Sequence, residues 1–153
     1  MTKTYHFRNL ILWQQAQDLG HAVIQLTKRM SQSWANAVIG RQIIASATSI
    51  AANIAEGHGR FSYGAHRNHL SIARGSVAET DSWIDLLWRE GVLTLDEATQ
   101  FHNRCDQLSA MLTTKIRSLE KAETQDKQRI KETSEAYGEQ APAPPYLASD
   151  YCS

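Results

Sequence analysis

Four stretches of this chain set apolar residues at alternating steps of three and four, a spacing that suits amphipathic helices, each with one stripe to bury. In the first stretch Leu12, Ala16, Leu19, Val23, Leu26 and Met30 share a stripe, with Asn9 as the expected N-cap and the polar residues 31–33 as the stop. The second starts near residues 34–36 and carries Ile39, Ile43, Ala47, Ile50 and Ile54; it is expected to end at Gly57 in a left-handed C′ position. The third runs from an N-cap at Ser62 to about Glu90, is closed by Gly91, and buries Leu70, Ala73, Val77, Ile84 and Leu87. Thr94-x-x-Glu97 reads as a capping box. It opens a fourth helix with the stripe Ala98, Phe101, Cys105, Leu108, Leu112, Ile116 and Leu119.

Helices joined by such short connections close their stripes on one another as an antiparallel bundle. The fold expected is therefore all-α: an up-down-up-down four-helix bundle over residues 1–120. Residues 121–153 form a polar tail containing Pro142, Pro144 and Pro145. Its composition cannot repay the entropy of ordering by burial, so a frayed helix giving way to disorder beyond about Ser134 is expected.

Charge adds a second constraint. Sixteen Lys and Arg balance sixteen Asp and Glu over 153 residues, which argues against a generic polyanion binder. The balance is uneven along the chain: residues 1–119 carry 12 basic and 9 acidic side chains, and residues 120–153 carry 4 and 7. The longest charge-free run, residues 42–55, includes Ser46, Thr48, Ser49 and Asn53 and is too short and polar to span a bilayer. Lys3, His6 and Arg8 near the start, with no small-residue cleavage site after them, do not read as a secretory signal. Cys105 and Cys152 make neither a disulfide framework nor a metal cluster, so a cytoplasmic, non-membrane protein is expected.

Catalytic and metal patterns are sparse. Bundle metal sites draw on Glu-x-x-His pairs from two helices, and none occurs; His66 and His69 are three apart but have no second pair to complete a site. Cys105 lies on the apolar stripe as a small hydrophobe. No P-loop, Gly-x-Ser-x-Gly or His-Glu-x-x-His is present, so neither an enzyme nor a cofactor is expected.

The distinctive residues lie around the second and third helices. Asn53 and Glu56 share a helix side, and Arg60 follows in the turn. Arg67, Arg74 and Asp81 recur every seven residues on one polar stripe of the third helix. Two readings stand side by side. Asn53 and Glu56 with Arg60 or Arg74 form a polar network that fixes the helix corner, or Arg60, Arg67 and Arg74 contact phosphates or an acidic partner. Separately, Ile72, Trp83 and Leu86 widen the apolar arc of the third helix beyond the needs of one core. With Trp34 at the start of the second helix, Trp83 and Leu86 are the candidate oligomer interface.

These residues also carry a resemblance. Phe7-x-x-Leu10-x-x-Trp13-x-x-Ala16, then Gln42, Ser49-Ile50-x-x-Asn53-Ile54-Ala55-Glu56-Gly57-x-Gly59-Arg60, then Ile72-Ala73-Arg74-Gly75-Ser76 resemble the S23 family, encoded within intervening sequences of bacterial 23S rRNA genes. The resemblance covers roughly residues 7–119. It implies an up-down-up-down bundle, a ring-like homopentamer, no attached catalytic activity, and kinship with the accessory bundle of diversity-generating retroelements, which pairs with a reverse transcriptase and binds nucleic acid. The function expected is a non-enzymatic homo-oligomeric module. Arg60, Arg67 and Arg74, helped by Arg41 and Arg89, would engage RNA, DNA or a nucleic-acid enzyme, since a mild positive charge per protomer sums around a ring. The alternative is a structural or protein-interaction scaffold that recruits a partner through the acidic tail.

Overall fold

The computed structural model describes residues 6–139, with side chains as far as residue 135. A 3₁₀ turn at Phe7–Asn9 leads into α1 (Ile11–Arg29), α2 (Trp34–His58), α3 (Tyr63–Arg89) and α4 (Leu95–Glu139). The chain divides into two compact units, Met1–Leu119 and Glu120–Ser153.

In the first unit every residue of the expected stripes is buried or packed on the core. Leu19, Ile43, Ile50, Ile54, Leu70, Ile84, Leu87, Leu108 and Leu112 are fully enclosed, and Ile39, Phe101 and Ile116 lie half-buried against them. Cross-helix contacts fix the directions. Gly20 lies against Ala47 and Thr48 while Gly40 lies against Thr27, so α1 and α2 run antiparallel. Ser46 meets Thr80, Ser49 meets Ser76 and Asn53 meets His69, so α2 and α3 do likewise. His102 pairs with Asp81, carrying the alternation into α4.

Three of the expected helix ends have the local chemistry read from the sequence. The Ser62 hydroxyl accepts from the Ala65 N–H. At the end of α3, Gly91 takes φ +71°; its N–H bonds to Trp88 O and that of Val92 to Leu87 O, the paired bonds of a Schellman motif. The Thr94–Glu97 capping box closes in both directions, at 3.0 and 3.2 Å. Glu97 also accepts from Arg29 at 2.9 Å, tying the end of α1 to the start of α4. The Thr94 N–H, followed by Arg29, holds the Glu97 carboxyl below the usual carboxylate range.

Two ends differ from expectation. Asn9 does not cap α1. It closes the 3₁₀ turn, and Leu10 stands at the N-cap without a side-chain bond. The Phe7 ring reaches Trp13 edge-on at 5.2 Å, so packing orders the entry where a polar cap was expected. Gly57 is not a left-handed stop either: α2 runs one residue further, and Gly59 ends it in right-handed geometry. Gly57 is instead a packing position, because a Cβ there would lie 3.0 Å from His69 Cβ and 3.2 Å from His66 O.

In the second unit α4 continues to Glu139, past the end expected near Ser134. Lys127 with Glu123 and Lys131 with Glu135 are helix-spaced ion pairs, and Gln128 bonds to Glu132. Such pairs support a helix that buries little. The proline-containing residues expected to be disordered lie outside the described residues. No helix among the described residues is long and apolar enough to cross a membrane.

Candidate functional site

A line of polar side chains follows the seam between α2 and α3. At its inner end Thr80, fully buried, donates to Ser76 O while its hydroxyl meets that of Ser46 at 2.9 Å; Ser46 in turn bonds to Ile43 O. One turn outward, the Ser76 and Ser49 hydroxyls meet at 3.0 Å. Asn53 Nδ2 then donates to Ser49 O, leaving its Oδ1 to accept from His69 Nδ1 at 3.3 Å. His69 Nε2 faces Glu56 at 3.6 Å, and Arg60 pairs with the same carboxylate oxygen. Serine and threonine hydroxyls can be buried here because each has a partner, and among the described residues no buried side-chain N or O is left without one.

The polar corner read from the sequence therefore holds Asn53, Glu56 and Arg60, but its partner from α3 is His69 in place of Arg74. Helix phase gives the reason. His69, Ser76 and Thr80 sit on the edge of α3 that meets α2, whereas Arg67 and Arg74 lie at seven-residue steps before Asp81, on the edge that faces α4. Arg74 is exposed and has no hydrogen-bond or ion-pair partner among the described residues; Arg67 is half-buried. The five candidate arginines do not form one surface. Arg41 is exposed early in α2, and Arg89 pairs with Asp85 at 2.8 Å, about 33 Å along α3 from Arg67 at 1.5 Å per residue.

The candidate interface residues are also spread. Trp34 is 82% exposed at the start of α2. Trp83 and Leu86 are half-buried, and Trp83 packs on the core with its indole N–H near Glu79.

Sequence reading missed the role of histidine. Three imidazoles gather at the α2–α3 corner: His69 in the polar line, and His58 and His66 edge-on to each other with ring centroids 6.4 Å apart. Burial, then Lys115, His58 and His69 in that order, hold His66 below the ordinary imidazole range. A usable signal existed in the 58, 66, 69 spacing across a helix corner next to a glycine. No group of three or more His, Cys, Asp or Glu among the described residues has metal-binding geometry.

Cys105 is buried on the α4 stripe, and burial together with Asp81 pushes its thiol up to about 12. The imidazole of His102 donates to the same Asp81 at 2.6 Å. This order of groups keeps a thiol protonated.

Residues 8–114 match the family described as 23S rRNA-intervening sequence protein. The chain belongs to that family. A crystal structure similar to it is that of a protein of unknown function from the S23 ribosomal protein family of Bacteroides thetaiotaomicron. It is 26% identical, covers 69% of this chain and 98% of its own, and has a TM-score of 0.65. No curated protein matches the sequence. The matched residues include the polar seam, the histidines 58, 66 and 69 and both α3 edges.

Proposed function

We propose that the chain is a non-catalytic, cytoplasmic, homo-oligomeric binding module. Its protomers associate through the outward face of α3, and Arg74, on the same edge of that helix as Arg67, contacts the phosphates of RNA, DNA or a nucleic acid carried by an enzyme. The observation that carries the reading is Gly75. A glycine inside a helix costs about 0.5–1 kcal/mol relative to alanine, yet a Cβ at Gly75 would meet nothing within 4 Å. No close approach inside the protomer requires the missing side chain. An approach from outside would account for it, and what sets Gly75 apart from the equally open Gly64 is its surroundings: Ser71, Ala78 and Ser82 are small and exposed, and Ile72 is 45% exposed beside half-buried Trp83 and Leu86. Arg74 borders this face with its guanidinium available, and repetition of that charge around a closed assembly multiplies weak phosphate contacts.

Size-exclusion chromatography with light scattering and 260/280 nm absorbance tests both halves. The native protein is expected as a ring-sized oligomer carrying nucleic acid. Ile72→Glu, at an exposed position, is expected to give a helical monomer. Arg74→Ala is expected to keep the oligomer but weaken its binding to single-stranded RNA and reduce the salt slope by about one for each phosphate that is no longer neutralised. A native monomer at every concentration overturns the assembly, and salt-independent binding overturns the phosphate contact.

A further inference from the structure

The stripe that α4 turns toward α1 carries polar groups that neither the α2–α3 seam nor the arginine edge of α3 uses. Two hollows follow one another along this α1–α4 groove and share Arg104. One, of about 220 Å³, is lined by Gln15 and Asp18 from α1 and by Arg104, Gln107 and Leu108 from α4. The other, of about 180 Å³, is lined by Phe101 and by the Arg29–Glu97 ion pair. Phe101 and Leu108 are two helical turns apart, about 10 Å along α4 at 1.5 Å per residue.

Arg104 and Asp18 bring opposite charges to one hollow without pairing. Both are exposed, and neither has a hydrogen-bond or ion-pair partner among the described residues. Elsewhere in the first unit arginines within reach of a carboxylate take it, as Arg29 does Glu97, Arg60 does Glu56 and Arg89 does Asp85. The space between the Arg104 guanidinium and the Asp18 carboxylate is thus open to a third group, which must accept from the one and donate to the other. Gln15 and Gln107, one from each helix, add amides that both donate and accept, and neither amide has a partner among the described residues. Buried Leu108 supplies the apolar surface of the hollow.

We propose that this hollow takes a guanine base, carried by a single-stranded RNA or by a free nucleotide. The RNA source rests on the nucleic-acid binding proposed for Arg74; the free nucleotide does not. Guanine alone among the four bases sets two acceptors, O6 and N7, beside two donors, N1–H and the N2 amino group. The fork of Arg104 matches O6 and N7, and the Asp18 carboxylate accepts from the two donors on the Watson–Crick edge. Adenine has a donor where guanine has O6, and cytosine and uracil lack the paired donors. Phe101, half-buried in the neighbouring hollow, offers aromatic surface to the adjacent base of a strand. An α-amino acid also spans a cation and an anion, but it leaves the two amides without a role.

Fluorescence anisotropy tests the base with three single-stranded RNA probes, UUGUU, UUAUU and UUIUU, where I is inosine and lacks the N2 amino group. The native protein is expected to bind UUGUU about tenfold more tightly than UUAUU, within the range of one bidentate pair, and several-fold more tightly than UUIUU. Arg104→Ala and Asp18→Ala, both at exposed positions, are expected to keep the fold. The first is expected to remove the preference for guanine over adenine, and the second to make UUGUU and UUIUU equal. Arg74→Ala is expected to weaken all three probes alike, because a phosphate contact carries no base information. Guanosine and adenosine monophosphates test the site without a strand: the former alone is expected to shift the NMR signal of the Arg104 Nε–H. A response to guanosine monophosphate in a protein that binds no RNA assigns the free nucleotide and overturns only the arginine edge. Guanine preference in RNA without a response to the monophosphate assigns the strand. Equal affinity for the three probes with no response to guanosine monophosphate overturns the base site and leaves the arginine edge standing. An equal response to adenosine monophosphate or to glutamate also overturns it.

Discussion

Replacing Gly57 by valine is expected to destabilise the first unit by about 2–3 kcal/mol, the upper range for overpacking, and to lower Tm by roughly 10 °C for a domain of this size. The substitution should gain a few tenths of a kcal/mol from helix propensity, since valine is a better helix former than glycine. Packing outweighs that gain. The new Cβ would stand 3.0 Å from His69 Cβ and 3.2 Å from His66 O, and neither atom can move without moving α3. The two γ-methyls of valine cannot swing clear, because χ1 is restricted in a helix. The α2–α3 spacing must widen, which pulls His69 from Asn53 and Glu56 and breaks the outer half of the polar line. Gly64→Ala is the control: the site is exposed, nothing lies within 4 Å, and the same removal of a helix glycine is expected to raise stability by up to about 1 kcal/mol. Thermal unfolding followed by circular dichroism checks both. Equal and positive shifts at the two sites would show that Gly57 is not a packing glycine.

Gly57 also shows how far the sequence could be read. Apolar periodicity placed all four helices and their buried stripes, because burial of one face is a property of each helix alone. The Ser62 cap, the Gly91 turn and the Thr94–Glu97 box were legible for the same reason: each is closed by residues within a few positions of one another. Gly57 was misread because a glycine before His-Gly has two local explanations, a left-handed stop or a close contact, and only the position of α3 decides between them. Of the two arginines read as partners of Glu56, Arg60 pairs with it and Arg74 does not, for a related reason. Arg74 and His69 are both on α3, but five residues turn the helix by about 140° at 3.6 residues per turn, which puts one on the α4 side and the other on the α2 side. The identity of the polar residues was evident, and their pairing required the crossing of two helices. His66 and His69 were legible as a pair three apart, but the approach of His58 to His66 was not, since a contact between two helices has no sequence period.

The thiol of Cys105 is expected to react with a disulfide reagent at pH 8 at least a thousandfold more slowly than an ordinary exposed cysteine, measured in a Cys152→Ser background so that one thiol is followed. Reaction requires thiolate, and the Cys105 pKa is raised from 9.0 to about 12, which by itself lowers the thiolate fraction about a thousandfold. Burial among Leu108, Leu112 and the rest of the α4 stripe adds a steric block. Burial is the larger cause of the shift and Asp81 the next; Asp81→Asn is therefore expected to speed the reaction several-fold and leave it far below the exposed rate, whereas unfolding in urea restores it fully. A fast reaction in the folded protein would reopen a nucleophilic role. Geometry argues against that role independently of the rate. A nucleophilic cysteine needs an imidazole next to the sulfur to take its proton, with the carboxylate behind the imidazole as orienter. Here the order is reversed: Asp81 lies beside the Cys105 thiol and also accepts the His102 N–H at 2.6 Å. The negative charge acts on the sulfur and the imidazole bonds to the carboxylate, so the trio holds α3 to α4 and leaves the thiol inert.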